Sequence, residues 1–469
     1  MLFNSVQFLI LFFPITFALF SWAKKRSPEA SMVVLLIASL VFYSWWDWRF
    51  TPMLIASIVI NYYFGRHLAV HRTGLQLGIG ISLNLIPLLI FKYAGWVAGM
   101  VGTPIQTLVL PLGISFFTFL QIGYLTSIYR NTNEHRGFLP YSVFVTYFPH
   151  LIAGPILKHN EVTQQLVSIP RGPIEFGEKF ARGTLLLVVG LFKKVIIADA
   201  FCSGFANSIF AEAATANFVE AWTGALAYSA QLYFDFSGYC EMALGMSLML
   251  GITIPINFAS PYRSTDIAQF WRTWHMSLSG FFREHIYIPL GGNRHGFVLS
   301  VVALSITFFL TGLWHGAGWT FVLWGCLHAF YLILFRLWTK TGVSLPIPIA
   351  KTVTIVAVIF AWVLFRAASL SDCIAMWASM IGLNGITIGA GFMQFREYIP
   401  AGIAFADSHL VVGTEVLLYG VLLGWCATAK NVHEFELKPT IRHASMIGVM
   451  AITAMLFINR QSSFLYWQF

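Results

Sequence analysis

Apolar stretches long enough to cross a lipid bilayer recur along the whole chain. A transmembrane helix needs about 20 predominantly apolar residues, because the hydrocarbon core of a bilayer is about 30 Å thick. Only short polar segments separate these stretches, so no polar linker divides the chain into soluble domains. We therefore predict an all-α polytopic membrane protein with about eleven to thirteen transmembrane helices in a single domain, residues 1–469. The candidate stretches are residues 5–22, 31–46, 51–65, 75–91, 108–128, 183–200, 218–234, 239–256, 298–314, 319–338, 351–368, 411–428 and 443–459.

The composition excludes soluble and disordered proteins. Charged residues make up 10% of the chain, against about 25% in soluble domains, which is too few to cover the surface of a soluble fold of this length. Disorder requires low hydrophobicity, whereas 58% of these residues are hydrophobic. The net charge of +9 arises from basic clusters between apolar runs. It therefore indicates the positive-inside bias, and we predict no nucleic-acid partner.

The basic clusters predict how the chain is oriented in the membrane. The first apolar run precedes Lys24-Lys25-Arg26. This is the reverse of the order in a signal peptide, so we predict a first transmembrane helix whose N-terminus lies outside. Positive residues also follow the third and fifth runs, whereas fewer follow the second and fourth. Because cytoplasmic loops are enriched in Lys and Arg, residues 257–296 should face the cytoplasm.

Residues 141–157 interrupt the helical pattern. They contain Pro149, Gly154 and Pro155, which break a straight helix. Irregular backbone at membrane depth requires protein or a water-filled cavity around it, so the segment is either a re-entrant element or an interfacial loop. The chain shows no internal repeat, which disfavours the transporters built from inverted repeats.

Residues 257–296 form the most polar long segment of the chain. Asp266 and Gln269 have the spacing of a capping box, which predicts the start of a helix. This is either an amphipathic helix in the membrane interface or a helix tilted into a cavity, with His275 pointing inward. Four residues then follow at the spacing i, i+3, i+4 and i+7 of one helix face, namely Trp271, Trp274, His275 and Leu278.

One histidine stands out because of its surroundings. His315 lies within Thr311–Trp319, where Gly312 and Gly316 have the G-x-x-x-G spacing that lets a helix or a substrate approach the backbone. Residues 285–371 contain no acid, so any group that orients the imidazole must come from elsewhere. A neutral imidazole in an apolar cavity can accept a proton from an attacking hydroxyl or thiol, which is the general-base chemistry of acyl transfer. The alternative is a hydrogen-bonded packing histidine.

Other chemistries have less support. His315 and His328 have no carboxylate or paired cysteine near them, whereas a zinc site needs three or four ligands at recognisable spacings, so we predict no metal. No G-x-S-x-G motif marks a serine nucleophile. Asp235 is an acid in an apolar run. It should pair with an arginine such as Arg263 or Arg272, accept hydrogen bonds from a substrate, or form a buried polar clamp between two helices.

Seven ordered segments and an aromatic C-terminal segment resemble the membrane-bound O-acyltransferases. The likeness is to the bacterial alginate O-acetyltransferase branch, with the D-alanyl transferases of teichoic acid modification as close relatives. It is densest over residues 104–330, and Trp467 stands where Phe is usual in the last segment. The segments are Pro111–Phe119, Phe148–Pro155, Tyr233–Tyr239, Asn257–Tyr262, Phe270–Ser279, Tyr287–Arg294, Leu313–Trp319 and Phe464–Phe469.

This resemblance implies a ring of helices, some of them tilted or re-entrant, around a central funnel or tunnel. It implies that His315 corresponds to the catalytic histidine of the family and His275 to a second functional histidine. It also implies a cytoplasmic thioester donor, either an acyl-CoA such as acetyl-CoA or an acylated carrier protein, with no bound cofactor. In this branch the acyl group passes to an extracytoplasmic partner enzyme, which acetylates an exported polysaccharide such as alginate.

The residues and the resemblance together define a candidate site. The donor should dock near residues 257–296, where arginines can meet its phosphates. His315 should take a proton from the acceptor hydroxyl, while His275 orients or polarises the thioester or contacts the acceptor. The candidate donor- or substrate-binding residues are Trp271, Arg272, Trp274, Asp235, Arg283, Arg294, Trp314 and Trp319.

We therefore expect a multi-pass O-acyltransferase of the bacterial cytoplasmic (inner) membrane. One competing hypothesis is a transporter that exports a polysaccharide or a lipid, although its inverted repeats and midplane binding site are not visible in the chain. A second is a member of the same family that acylates a lipid, a protein or a teichoic-acid-type acceptor. A third is a scaffold that only recruits a partner enzyme.

Overall fold

The computed structural model describes residues 1–103, 108–130, 137–152, 154–399, 402–405, 413–436 and 440–458. Helices dominate these residues, and two short strands, β1 (Thr387–Ile388) and β2 (Ala404–Phe405), pair in parallel. The first ten helices are α1 (Phe13–Lys24), α2 (Pro28–Asp47), α3 (Thr51–Val70), α4 (Gly74–Met100), α5 (Ile114–Tyr129), α6 (Phe138–Thr146), α7 (Phe148–Leu151), α8 (His159–Val167), α9 (Glu178–Phe192) and α10 (Ser203–Ala211). The others are α11 (Phe218–Met249), α12 (Ile267–Thr273), α13 (Met276–Phe282), α14 (Gly296–His315), α15 (Trp319–Thr339), α16 (Ile347–Arg366), α17 (Leu370–Met380), α18 (Thr414–Cys426) and α19 (Ile441–Phe457).

Six helical segments of the described residues are long and apolar enough to cross a membrane. One of them contains both α2 and α3, and α5, α18 and α19 are shorter apolar helices. The all-α polytopic class is therefore confirmed, whereas the count of eleven to thirteen spans stays a prediction. The six segments are Gln7–Lys24, Pro28–Val70, Gly74–Met100, Gly296–His315, Trp319–Thr339 and Ile347–Arg366.

Polar caps set the starts of several helices. The Ser27 hydroxyl accepts a hydrogen bond from the Ala30 amide (3.0 Å) at the start of α2, and Pro28 occupies the first helical position. The Asp266 carboxylate accepts one from the Gln269 amide (2.7 Å) at the start of α12. Both contacts satisfy backbone donors that have no partner within the helix. The predicted helix start at Asp266 is therefore confirmed.

The helix α11 differs from the sequence prediction. Residues 218–234 and 239–256 were expected to form two spans, but one helix runs without interruption from Phe218 to Met249. Gly238 lies between the two predicted stretches, and a single glycine weakens a helix by only about 1 kcal/mol without ending it. The carbonyl oxygen of Gly238 would overlap a Cβ atom on Gly190. Glycine at position 190 therefore permits close packing of α9 against α11.

The described residues group into two compact units, each with its own core. The first contains those of Met1–Phe192, Gly238–Asn257 and Leu437–Asn459, and the second those of Lys193–Ser237 and Phe258–Glu436. Both histidines predicted to be functional lie in the second unit. The prediction of one membrane domain over residues 1–469 stays a prediction.

The predicted break within residues 141–157 lies in the first unit. α6 ends at Thr146 and α7 begins at Phe148. The backbone amide of Phe148 donates a hydrogen bond to the Ser39 hydroxyl (3.1 Å), so a side chain of α2 satisfies a donor that the break exposes. The side chains of α7 are buried. This part of the segment is therefore a helix break packed inside the protein, and its predicted depth in the membrane, re-entrant or interfacial, stays a prediction.

Candidate active site

A close crossing of α14 and α15 determines where His315 lies. A Cβ atom on Gly312 would overlap the carbonyl oxygen of Phe321 and would lie 3.2 Å from the Cα atom of Gly325. Only glycine at position 312 therefore allows the two backbones to come this close, which confirms the close packing predicted from its spacing. His315 is the last residue of α14, so its side chain is held at the turn between two apolar helices.

Aromatic rings enclose the imidazole of His315. Its ring centroid lies 4.7 Å from that of Trp314, 4.9 Å from that of Trp324 and 5.0 Å from that of Phe365. All three rings meet the imidazole at angles of 70° to 86°, which is the edge-to-face geometry that aromatic pairs prefer. The residue is 4% exposed. These walls limit the access of water to a group that the sequence predicts to act as a base.

His275 lies at a break between α12 and α13. Its backbone is left-handed (φ 43°, ψ 54°), a conformation that costs about 1–2 kcal/mol for a residue with a side chain. The residue is 1% exposed, and its ring meets the ring of Phe236 edge-on at 4.7 Å. Burial lowers the pKa of His275 to about 3. The imidazole is therefore neutral at neutral pH and can both donate and accept a hydrogen bond.

The continuous helix predicted through Trp271, Trp274, His275 and Leu278 is wrong. α12 ends at Thr273 and α13 begins at Met276, because the backbone of Trp274 is extended and that of His275 is left-handed, and neither continues a right-handed helix. The four side chains therefore do not share one helix face. The break leaves His275 buried, and its predicted orientation toward a cavity stays a prediction.

The ring of Trp314 lies near both histidines. Its centroid is 6.3 Å from that of His275 and 4.7 Å from that of His315. Trp314 is 7% exposed, so this cluster of three rings lies inside the second unit. A single aromatic side chain, that of Trp314, thus lies close to both of the predicted histidines.

A cavity of about 330 Å³ adjoins this cluster. Its volume is within the range of known ligand sites, about 300–1,000 Å³. Met276, which follows His275, lines one part of it, and Thr311, which lies one helical turn before His315, lines another. Trp271, Phe282 and Phe308 supply apolar wall. The cavity wall therefore contains the residue after His275 and a residue one turn before His315, whereas neither histidine is among the lining residues.

Three arginines line the same cavity, namely Arg272, Arg283 and Arg336. None of them makes an ion pair with a carboxylate in the described part of the chain. No Asp or Glu occurs among the lining residues. Excess positive charge in a partly apolar cleft attracts anions, so the cavity suits a ligand that is both apolar and negatively charged.

Asp235 lies in a buried ion-pair cluster. Its carboxylate is 2.6 Å from the ammonium of Lys194, which is also 2.8 Å from the carboxylate of Asp199. The predicted pairing with Arg263 or Arg272 is wrong, because Arg263 pairs with Glu434 (2.9 Å) and Arg272 lines the cavity. The contacts match the clamp alternative instead, since Lys194 lies in the π-helix Lys193–Cys202 and Asp235 lies on α11.

Comparison with known proteins assigns the family. The sequence profile of the membrane-bound O-acyltransferase family matches residues 40–377. A peptidoglycan O-acetyltransferase of Helicobacter pylori (strain ATCC 700392 / 26695) is 33% identical, with 100% of this chain and 98% of the relative covered. The chain belongs to the membrane-bound O-acyltransferase family.

Two further relatives of this O-acyltransferase carry related names. The probable alginate O-acetylase AlgI of Pseudomonas aeruginosa is 37% identical over 90% of this chain and 81% of its own length. A teichoic acid D-alanyltransferase of Streptococcus thermophilus is 28% identical over 55% of this chain and 63% of its own length. The family resemblance that the sequence motifs predicted is therefore confirmed.

The O-acyltransferase brings together most, but not all, of its predicted site residues. Arg272, Arg283 and Trp271 line the cavity, whereas Arg294 is exposed and lies outside its wall. Trp274 packs in a neighbouring aromatic cluster, 4.9 Å from the ring of Trp362. Trp319 is 54% exposed at the start of α15 and is not among the residues that line the cavity. The C-terminal segment Phe464–Phe469 lies outside the described residues.

Sequence reasoning missed two residues of this O-acyltransferase, Arg336 in the cavity wall and Lys194 in the ion-pair cluster of Asp235. Arg336 resembles an ordinary basic residue at the end of an apolar helix, so only its position in the cavity distinguishes it. Lys194 lies inside a predicted span, and a cation in such a run signals a buried acid. His328 was considered as a metal ligand, but its Nδ1 atom accepts a hydrogen bond from the indole N–H of Trp271 (3.2 Å). The described residues contain no cluster of three or more side chains able to hold a metal ion.

Proposed function

We propose that this enzyme moves an acetyl group from a cytoplasmic thioester donor across the bacterial cytoplasmic membrane, for O-acetylation of an exported polysaccharide. The observation that carries the proposal is the geometry of His315, which is enclosed by aromatic rings at the turn of two apolar helices. The names of the relatives support the acceptor class, since they refer to peptidoglycan and alginate. All the relatives named here are bacterial.

In the proposed reaction, His315 acts as the general base. It takes the proton of an acceptor hydroxyl while the hydroxyl oxygen attacks the carbonyl carbon of the thioester. The C–S bond then breaks, and the imidazolium returns the proton to the leaving thiolate. A C–O bond replaces the C–S bond, and no cofactor is consumed. The neutral His275 orients or polarises the thioester, or contacts the acceptor, as a donor or acceptor of one hydrogen bond.

The proposed donor is an acyl-CoA, such as acetyl-CoA, or an acylated carrier protein. Both carry phosphate, which arginine recognises through paired N–H groups. Arg272 and Arg283 support this assignment because they line the cavity beside the histidines. Arg294 is exposed outside the wall, so in this proposal it contributes only to the basic surface that a donor approaches.

The proposed acceptor hydroxyl belongs to an extracytoplasmic partner enzyme, which then acetylates the polysaccharide. The chain has no serine-nucleophile motif of its own, which suits direct transfer to a docked partner. The position of His315 at a helix end also supports it, because a residue at the end of a membrane helix is easier to reach from one side than a residue in its middle.

The proposal is tested by replacing His315. We expect His315→Ala to abolish acetyl transfer from labelled acetyl-CoA or an acetylated carrier protein, with membrane insertion unchanged, because no other group takes up the hydroxyl proton. Incorporation of label is measured in membranes that contain the partner enzyme and in detergent-purified protein. His71→Ala is the matched control, since this histidine is exposed, and it should retain full activity.

Full activity of His315→Ala would overturn the proposal. Loss of polysaccharide export with unchanged acetyl transfer would instead indicate a transporter. Loss of transfer while the partner enzyme still binds would exclude the scaffold hypothesis, because binding would then not be sufficient for acetylation.

A further inference from the structure

We propose that Arg336 binds the phosphate of a phosphopantetheine arm, the chemical group that coenzyme A and acyl carrier proteins share. The identity of the arm rests on the proposed function, whereas the anion site itself rests on the contacts of Arg336. The site consists of Arg336 and the three side chains that hold it, Tyr287, Asn293 and Ser300.

Neutral side chains fix the guanidinium of Arg336. Its Nη1 donates a hydrogen bond to the Ser300 hydroxyl (2.7 Å), and its Nη2 donates one to the Tyr287 hydroxyl (2.9 Å). Both hydroxyls in turn donate to the amide oxygen of Asn293, at 2.9 Å from Ser300 and 2.6 Å from Tyr287. The two hydroxyls also lie 3.0 Å from each other, so these side chains form one connected network that holds the guanidinium in place before a ligand arrives.

The network holds the charge of Arg336 without neutralising it. Its partners are two hydroxyls, and the described residues include no carboxylate paired with it. A basic residue in the last turn of a helix often serves only the helix dipole. That role does not account for a side chain that lines a cavity and is anchored by two hydroxyls. A guanidinium has five N–H donors, so after these two bonds Arg336 keeps donors for phosphate oxygens.

The distance along α14 is close to the combined reach of a pantetheine arm, its phosphate contact and its acyl group. Ser300, which touches Arg336, precedes His315 by fifteen residues of this helix, or about 22 Å at a rise of about 1.5 Å per residue. Leu304, Thr307, Phe308 and Thr311 line the cavity between them. A pantetheine chain has about thirteen bonds from phosphorus to sulfur and spans roughly 15 Å when extended, at about 3.5 Å for every three backbone bonds.

The remaining length has a simple explanation. In this proposal the phosphate lies on the His315 side of the guanidinium, one contact along the cavity, which shortens the span that the arm must cover. The acyl group extends past the sulfur. An arm anchored at Arg336 therefore brings its thioester to the level of His315.

The test measures binding to the detergent-purified full chain, so it needs no turnover. The probes are 4′-phosphopantetheine and pantetheine, which differ only in the phosphate, and affinity is measured by titration calorimetry. We expect the wild type to prefer the phosphorylated probe by about tenfold to a hundredfold, which corresponds to one hydrogen-bonded charge pair. The preference should shrink as salt is added, because salt screens charges that solvent reaches.

Three variants test whether Arg336 causes the preference for the phosphorylated probe. Arg336→Gln should remove most of it while leaving the affinity for pantetheine unchanged, and Tyr287→Phe should reduce it several-fold because the guanidinium loses one anchor. Lys340→Gln removes an exposed charge from the same end of α15 and should leave the preference intact. If Arg336→Gln does not fold, Arg336→Lys and Tyr287→Phe carry the test, since both should weaken the preference.

Clear results would overturn the proposal. One is a wild type that does not prefer the phosphorylated probe. Another is an Arg336→Gln variant that keeps the full preference or, if that variant does not fold, an Arg336→Lys variant that does so. A third is displacement of the probe by anionic lipid micelles at equal phosphate concentration. Competition by coenzyme A or by a holo-carrier protein identifies the source of the arm, and failure of both also overturns the proposal. In His315→Ala the phosphate preference should persist. A preference without any His315-dependent transfer would refute the proposed function and leave the anion site standing.

Discussion

The backbone of His275 restricts which side chains can replace it. A left-handed conformation is tolerated by glycine, and by Asn, Asp and His more readily than by other residues. The substitution chosen for this position therefore decides whether an experiment tests the imidazole or the fold. His275→Asn keeps a short polar side chain that suits the backbone, whereas His275→Ala changes both.

We expect His275→Asn to fold normally and to lose acyl transfer by about 10²–10⁴-fold, the range for a lost acid–base or polarising group. His275→Ala should lose as much activity and should also melt at a lower temperature. Initial rates of transfer and thermal melting in detergent distinguish the two effects. A fully active His275→Asn would show that the imidazole has no part in the reaction.

The ion pairs of Lys194 provide a second test at the level of single residues. Lys194, Asp199 and Asp235 are all buried, so removing the ammonium leaves two carboxylates without this cation. We expect Lys194→Met to cost about 3–5 kcal/mol, the usual penalty for breaking a buried pair. Asp235→Asn should cost less, since the contact of Lys194 with Asp199 remains.

The measurement is the apparent melting temperature of the single variants and of the double variant in detergent. Because the two side chains share one interaction, the double variant should lose less than the sum of the single losses. Strict additivity would argue against the clamp. If folded Asp235→Asn loses transfer activity without loss of stability, the acid contacts a substrate instead.

At the level of helices, the site depends on the crossing of α14 and α15. We expect Gly312→Ala to push these helices apart, because its Cβ atom would overlap the Phe321 carbonyl. Overpacking of this kind typically costs about 1–3 kcal/mol, and the displacement of His315 should lower the transfer rate by more than the loss of folded protein explains. Rates normalised to folded protein provide the measurement.

Gly424→Ala on α18 is the matched control, since a Cβ atom there would meet nothing within 4 Å. The intrinsic preference of alanine for helices should make this variant as stable as the wild type or slightly more so. Equal behaviour of the two alanine variants would mean that the crossing tolerates a methyl group and does not position His315.

Some helices could be predicted from the sequence and others could not, for a physical reason. Apolar length is a local property, so the candidate spans of α14, α15 and α16 were visible in the chain. The cap at Asp266 was visible for the same reason. The end of α12 was not, because the spacing of apolar residues favoured a continuous helix and only the backbone angles of Trp274 and His275 reveal the break.

For the whole molecule, the membrane class and the family follow from sequence, whereas the partners of charged residues do not. His315 could be selected as a rare ionisable residue in an acid-free stretch, and the structure encloses it in rings from α14, α15 and α16. Arg336 could not be selected, because its role depends on a cavity that forms only when distant segments pack together. The charge of Lys194 was visible inside an apolar run, but its partner Asp235 was not, for the same reason.

The left-handed backbone at position 275 also limits how this protein can diverge. At most positions, substitutions are limited by polarity and size. At position 275, most side chains would also raise the free energy of the left-handed backbone, whatever their effect on the reaction. The substitutions open to descendants are therefore few, and asparagine or glycine should precede alanine or leucine among them. The residues found at this position in related sequences should therefore reflect the backbone conformation as well as the reaction.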